Sequence, residues 1–239
     1  YYSMGKDDQF DNQVMDWVKV IRNKVKMGAH PPGEFLVLDR LLHELRLFKS
    51  AGEIKLMEQA AKISAQGHKR AMACCKPGIK EYEMEAELLY AFTRNGSRAP
   101  AYNSIVAAGE NACILHYNAN DAEVKEGDLV LIDAGCEYGY YASDITRTFP
   151  ATGKFSPEQK AIYEIVLAAQ DAAIDAVAPG VSWDEPHKAS VKVITQGLVK
   201  LGLLKGKVSQ LIKAEAYRDF YMHRVGHWIG MDVHDVGDY

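Results

Sequence analysis

Cysteine is scarce, and what little there is carries no pattern. Cys74, Cys75, Cys113 and Cys136 are the only four among 239 residues, and no Cys-x-x-Cys spacing occurs. Neither a zinc knuckle nor a disulfide framework is indicated, and reduced thiols in a cytoplasmic protein are expected. Long apolar runs are missing as well: none approaches the roughly 18 residues that a membrane span needs. Charge is nearly balanced, with 28 Lys and Arg against 32 Asp and Glu and a net charge of −4. There is accordingly no electrostatic reason to expect nucleic acid or an anionic membrane as a partner. No Gly-x-Ser-x-Gly elbow is present, which disfavours a serine hydrolase. The glycines near Gly109 form no phosphate-cradling motif, and Cys74-Cys75 reads as packing at a helix end.

What is present is ordinary globular composition, 48% hydrophobic and 25% charged, enough for one large domain or one and a half. Residues 1–48 read differently from the rest. Val14, Trp17, Val18, Ile21 and Val25 predict an amphipathic helix over 12–26. It stops at Gly28, His30-Pro31-Pro32-Gly33 is a loop, and Phe35 to Leu38 is a short strand candidate before a mixed-charge segment, Leu41 to Lys49. One helix and one strand cannot close a core. Residues 1–48 are therefore expected to be the tail of an N-terminal domain, with a second domain over 49–239.

That second domain opens with a capping box, Ser50-Ala51-Gly52-Glu53. Ile54, Met57, Ala61, Ala65, His68 and Met72 then mark one face of a helix ended by Pro77-Gly78. Tyr82, Ala86, Leu89 and Phe92 mark another, closed by Asn95-Gly96, and strands begin at Ala101. A similar order recurs. Ser156-Pro157-Glu158-Gln159 is a second capping box; Ile162, Ile165, Val166, Ala169, Ala173 and Val177 follow, then Pro179-Gly180, then Val191, Ile194, Leu198 and Leu201. Strand-like residues return near the C-terminus. The two intervals from capping box to Pro-Gly differ by four residues, about one helical turn. This internal pseudo-repeat predicts an α+β arrangement, one sheet covered by helices.

The centre of the chain is Leu129 to Phe149. Leu129-Val130-Leu131-Ile132 is a buried strand that ends on Asp133, and a strand from Tyr141 to Phe149 carries Asp144. With Tyr138-Gly139 as a two-residue turn, Glu137 faces Tyr140 and Asp133 faces Asp144. Directly opposed residues have Cβ atoms roughly 4.5–5.5 Å apart, where like charges destabilise the pair. A shared proton is one compensation and a divalent cation another. With a longer turn, one aspartate is merely a solvated strand end.

A second constellation is YMHRVGHWIGMDVHDVGD at 221–238, with His223, His227 and His234. Arg224 stands where a zinc-protease helix would carry its glutamate, and Gly226, Gly230 and Gly237 argue against a helix. Strands and close-packed turns are expected there. A further histidine, His116, ends the apolar run Cys113-Ile114-Leu115. Histidine titrates nearest neutral pH and serves as metal ligand or proton shuttle.

Five segments together resemble the Xaa-Pro aminopeptidases of the pita-bread metallopeptidase superfamily: HELRLFKS at 43–50, AYNSIVAAGENACILHY at 101–117, GDLVLIDAGCEY at 127–138, SDITRTFP at 143–150 and HWIGMDVHDVGDY at 227–239. The resemblance implies the two-fold pseudo-symmetric pita-bread (creatinase/aminopeptidase) fold, preceded by the tail of an N-terminal domain. It implies a centre of two divalent ions, usually manganese, with Asp133, Asp144 and His227 as ligands and Asp144 bridging. His116, His223 and His234 match histidines that bind substrate and stabilise the tetrahedral intermediate. The substrates implied are peptides with proline at the second position, in a homo-oligomeric protein. An Xaa-Pro dipeptidase and a non-catalytic pita-bread binding protein are the alternatives. Two further glutamate ligands of the family find no match, so the catalytic domain is expected to be truncated at its C-terminus and the 239-residue chain inactive by itself. Arg224-Val225-Gly226 stands where relatives more often have small residues.

Overall fold

The computed structural model describes residues 3–239. Two compact units divide the chain, the first ending at Ala51 and the second running from Gly52 to Tyr239. In the first, helix α1 spans Asp8–Asn23 and starts where the Asp7 carboxylate accepts from the Phe10 amide, 2.9 Å. A 3₁₀ turn, Val25–Met27, ends at Gly28 in the left-handed region. Of the strand expected at Phe35 to Leu38, only a single β-bridge at Val37 forms. Helix α2 begins at Leu38 and runs to Leu47. Leu38, Leu41, Leu42 and Leu45 recur at helical spacing straight through the mixed-charge segment, and that period decides the conformation.

The second unit is α+β. Helix α3, Ala51–Cys74, and helix α4, Glu81–Arg94, pack on the hydrophobic core. The inward stripe of α3 is Ala60, Ile63, Ser64, Gly67, His68 and Ala71. Of the face expected from the larger apolar residues, only His68 belongs to it, and Ala61 and Ile54 are exposed. Small residues win because the helix must lie close to its neighbours: a Cβ on Gly67 would sit 2.7 Å from the Phe92 ring. α4 likewise turns Met84, Leu88, Ala91 and Phe92 inward and leaves Tyr82 and Leu89 exposed. Fully burying each such Leu, Met or Phe contributes about 1.5–3 kcal/mol.

The core is completed by two three-stranded antiparallel sheets. In one, β3 (Leu129–Asp133) lies between β2 (Ile105–Ala108) and β6 (Thr146–Pro150); in the other, β4 (Cys136–Tyr138) lies between β1 (Ala99–Pro100) and β5 (Tyr141–Ala142). Val106, Val130, Ile132, Ala134 and Cys136 carry the core from one sheet into the other.

The turn between β4 and β5 is Gly139-Tyr140, one residue later than expected, with φ of 58° and 69° and Tyr138 paired to Tyr141. Two positive φ values give the primed twist that a two-residue hairpin needs; glycine takes one freely and Tyr140 accepts the other. Asp133 therefore faces Thr146, not Asp144. The direct carboxylate opposition expected from the sequence does not occur. A displacement of two residues preserves side-chain parity, however, so the two aspartates keep to one face.

Helix α5, Pro157–Asp175, carries the expected capping box: Gln159 N–H donates to Ser156 Oγ at 3.2 Å and Ser156 N–H to Gln159 Oε1 at 2.9 Å. Helix α6, Asp184–Lys200, packs so closely on α5 that a Cβ on Gly197 would lie 2.6 Å from Ile165. A short α7, Val208–Lys213, and a 3₁₀ turn, Ala216–Asp219, follow. The strands expected near the C-terminus do not form within residues 220–239. Its backbone bonds within itself and to the sheet edge instead: Asp235 N–H donates to Trp228 O at 3.0 Å, and Ala142 N–H to Gly230 O at 2.8 Å. Among the described residues no helix is long and apolar enough to cross a membrane.

Candidate metal centre

Asp133 is the last residue of β3, while Asp144 lies in the break between β5 and β6. The pairing continues through that break in two hydrogen bonds, Ala134 N–H to Ile145 O at 3.1 Å and Ser143 N–H to Cys136 O at 3.0 Å. Between them Gly135 meets the backbone of Ser143 so closely that any side chain would collide. From the α3 side, Ser64 Oγ accepts the Cys136 amide at 2.8 Å and lies 2.8 Å from Ser143 Oγ. One turn further along, His68 Nε2 donates to Ala134 O at 2.9 Å. Burial disfavours the imidazolium and pushes the His68 pKa down.

The break aims both carboxylates at one atom. Tyr102 Oη lies 2.6 Å from Asp133 Oδ1 and 2.8 Å from Asp144 Oδ1. One phenol carries one proton and cannot satisfy both when both are ionised. Burial, with the Asp144 charge adding to it, holds the Asp133 carboxyl above the usual range, against the Tyr102 hydrogen bond that lowers it. Burial and the two carboxylates push the Tyr102 phenol well above its ordinary value.

His227 closes the arrangement. Its Nδ1 lies 2.8 Å from Trp228 O, a carbonyl that can only accept, so Nδ1 carries a hydrogen. Its Nε2 is then the free nitrogen, 2.9 Å from Asp144 Oδ2. Such an Nε2 beside a carboxylate oxygen needs a proton or a cation between them, and orienting the ring through Nδ1–H to a carbonyl is the usual outer-shell device of a metal-binding histidine. Two carboxylates sharing one phenolic proton, plus that nitrogen, fit a hard divalent cation by donor chemistry. As a geometry the set is not closed: among the described residues, no group of three or more His, Cys, Asp or Glu side chains is arranged to hold a metal ion. Tyr102 Oη stands at the point the carboxylates share.

The remaining histidines surround the same place. His234 stacks on His227, ring centroids 3.8 Å apart and 10° from parallel. Burial, then the neighbouring His227, lowers the His234 pKa, and His116 and His223 act on it in the same direction. His116, with φ of 55°, lines a cleft of about 260 Å³ together with Tyr102, Asp133, Asp144 and His234. His223 is exposed and its Nδ1 contacts Arg224 O at 2.7 Å. A larger hollow of about 580 Å³ by Met72, Cys75 and Phe149 lies apart from these residues, and burial pushes the Cys75 thiol in it up to about 11.

Sequence reasoning assigned no role to Tyr102, Ser64 or His68. Tyr102 sits in a quoted segment, yet a lone hydroxyl carries no periodicity; the i, i+4 pairing of Ser64 and His68 on the inward face of α3 was the one available signal.

The family model of metallopeptidase family M24 matches residues 55–239. The Xaa-Pro aminopeptidase of Haemophilus influenzae is 56% identical over 199 residues, 83% of this chain and 46% of that protein. That of Escherichia coli is 46% identical over 239 residues, 100% of this chain and 54% of that protein. Among solved structures, Pseudomonas aeruginosa aminopeptidase PepP superposes with a TM-score of 0.95 at 63% identity, covering 100% of this chain and 54% of that one. The chain belongs to metallopeptidase family M24 and has its pita-bread fold. It spans about half the length of the relatives it matches.

Proposed function

We propose that the protein is a metallo-aminopeptidase that releases an N-terminal residue preceding proline, with manganese as its divalent ion. The observation that carries the reading is the convergence of Asp133 and Asp144 on one point with His227 Nε2 against Asp144, in a chain similar throughout to Xaa-Pro aminopeptidases. Asp144, approached by Tyr102 on one oxygen and His227 on the other, would hold the ions together with Asp133 and His227. When bound, the ions supply an activated water and a Lewis-acid hold on the scissile carbonyl.

The chain's own residues do the rest. His116 and His234 line the cleft and, with exposed His223 beside them, would bind the peptide backbone and move a proton at an imidazole nitrogen. The lowered pKa of His234 keeps it neutral, and so able to accept a proton, over more of the physiological range.

The test is hydrolysis by the intact protein of Xaa-Pro dipeptides and of longer Xaa-Pro peptides, with manganese and with a chelator. Manganese-dependent release of the first residue from the longer peptides is expected. Cleavage confined to dipeptides would make it an Xaa-Pro dipeptidase, and no cleavage of either would leave a binding protein.

A further inference from the structure

The second unit buries one carboxylate completely, and it takes no part in the site just described. Glu81, at the first position of α4, is fully buried. Burying a charge is tolerated only when hydrogen bonds replace its water, and Glu81 receives four. Its Oε1 accepts from the Ala108 amide at 2.7 Å and Asn111 Nδ2 at 3.1 Å. Its Oε2 accepts from Tyr117 Oη at 2.7 Å and the Ala122 amide at 3.0 Å. The N-terminal end of a helix adds a favourable field.

All four donors lie between residues 108 and 122, the segment that leaves β2, turns through a 3₁₀ helix at Gly109–Cys113 and returns toward β3. His116 lies between Asn111 and Tyr117, two of the Glu81 donors. Its φ of 55°, like the 50° of Asn120, is a conformation that non-glycine residues hold only when the surroundings impose it. Asn120 is imposed on in turn: its Oδ1 accepts from Val106 N–H at 3.0 Å and its Nδ2 donates to Ser104 O at 2.8 Å.

We infer that Glu81 is a positioning residue for His116: its carboxylate gathers four donors of the 108–122 loop and thereby holds that imidazole over the cleft beside Asp133 and Asp144. The inference rests on the peptidase reading for its kinetic consequence and on the loop geometry alone for its structural one. Glutamine has the same size, but its amide turns two acceptor positions into donors facing donors. Displacing a reacting group by about 1 Å costs on the order of 10²-fold in rate.

The experiment compares Glu81→Gln, Tyr117→Phe, His116→Ala and the Glu81→Gln/His116→Ala double variant in the intact protein. Hydrogen exchange of amides 108–122 is expected to quicken in Glu81→Gln, and less in Tyr117→Phe, while manganese binding stays as in the unsubstituted protein. In kcat/KM, Glu81→Gln is expected to lose on the order of 10²-fold, and to add less than about 3-fold on top of His116→Ala. Unchanged exchange in both Glu81→Gln and Tyr117→Phe overturns the inference, as does full multiplication of the two kinetic losses. If the unsubstituted protein cleaves no Xaa-Pro peptide, the peptidase reading falls while the exchange data still decide the role of Glu81. If Glu81→Gln does not fold, Tyr117→Phe decides by the same two readouts.

Discussion

Gly135 passes so close to Ser143 that a Cβ built on it would lie 1.7 Å from the Ser143 carbonyl oxygen. The obstruction is backbone, held by the Ser143 N–H bond to Cys136 O, and cannot swing aside as a side chain would. Gly135→Ala is therefore expected to force the two strands apart at the break that aims Asp133 and Asp144. Thermal or denaturant unfolding of the intact protein should show a loss of roughly 4 kcal/mol or more. Gly33→Ala, at a glycine with open space around it, serves as the control and should change little. Equal effects would show that the close approach is not what the break depends on.

Tyr102→Phe removes the one proton that Asp133 and Asp144 share. Without metal, the variant should be less stable by about 1–3 kcal/mol, the usual result of leaving buried acceptors unsatisfied. Saturating manganese should close most of that gap, because a cation between the carboxylates replaces the phenol. Calorimetry with and without manganese reads both numbers. A gap that stays constant would mean the carboxylates do not converge on the ion.

Asp144 is contacted on both of its oxygens, whereas His227 has only Nε2 to offer an ion because its Nδ1 is held by Trp228 O. Elemental analysis of the intact protein should find both ions gone in Asp144→Ala and one partly retained in His227→Ala. Two full equivalents in Asp144→Ala would rule out Asp144 as the ligand proposed to be shared by both ions.

His68 bears on pH stability. Its folded-state pKa lies below the ordinary 6.5 because burial opposes the charge, so the unfolded chain binds the proton more readily. Its contribution is fully present above pH 6.5 and is lost as the pH falls from there through the lowered folded-state value. Replacing it with the non-titrating His68→Gln should flatten the slope of unfolding free energy against pH in that window. A slope identical to that of the unsubstituted protein would mean that His68 takes up its proton without cost in the folded state.

Most helix positions and the pair of convergent aspartates were legible in the chain itself, because local signals suffice for both. Capping at Ser156 and Gln159 marks where a helix starts, and an apolar run ending on Asp133 marks a strand that delivers a carboxylate. In the mixed-charge stretch from Leu41 to Lys49, alternating charges mask the leucine spacing that makes most of it helical. What the sequence could not determine was register and depth. The Gly139-Tyr140 turn moves Asp144 from opposite Asp133 to opposite Gly135, and the face of α3 that goes inward is chosen by how closely small residues let it approach Phe92 and the sheet. Tyr102, His68 and Glu81 acquire their roles from partners 27 to 66 residues away, Ala108 for Glu81 and Ala134 for His68 marking those limits. Hydrogen bonds of that span leave no period in the chain, because only the packed tertiary structure brings the donor to its acceptor and removes the water that would otherwise satisfy both.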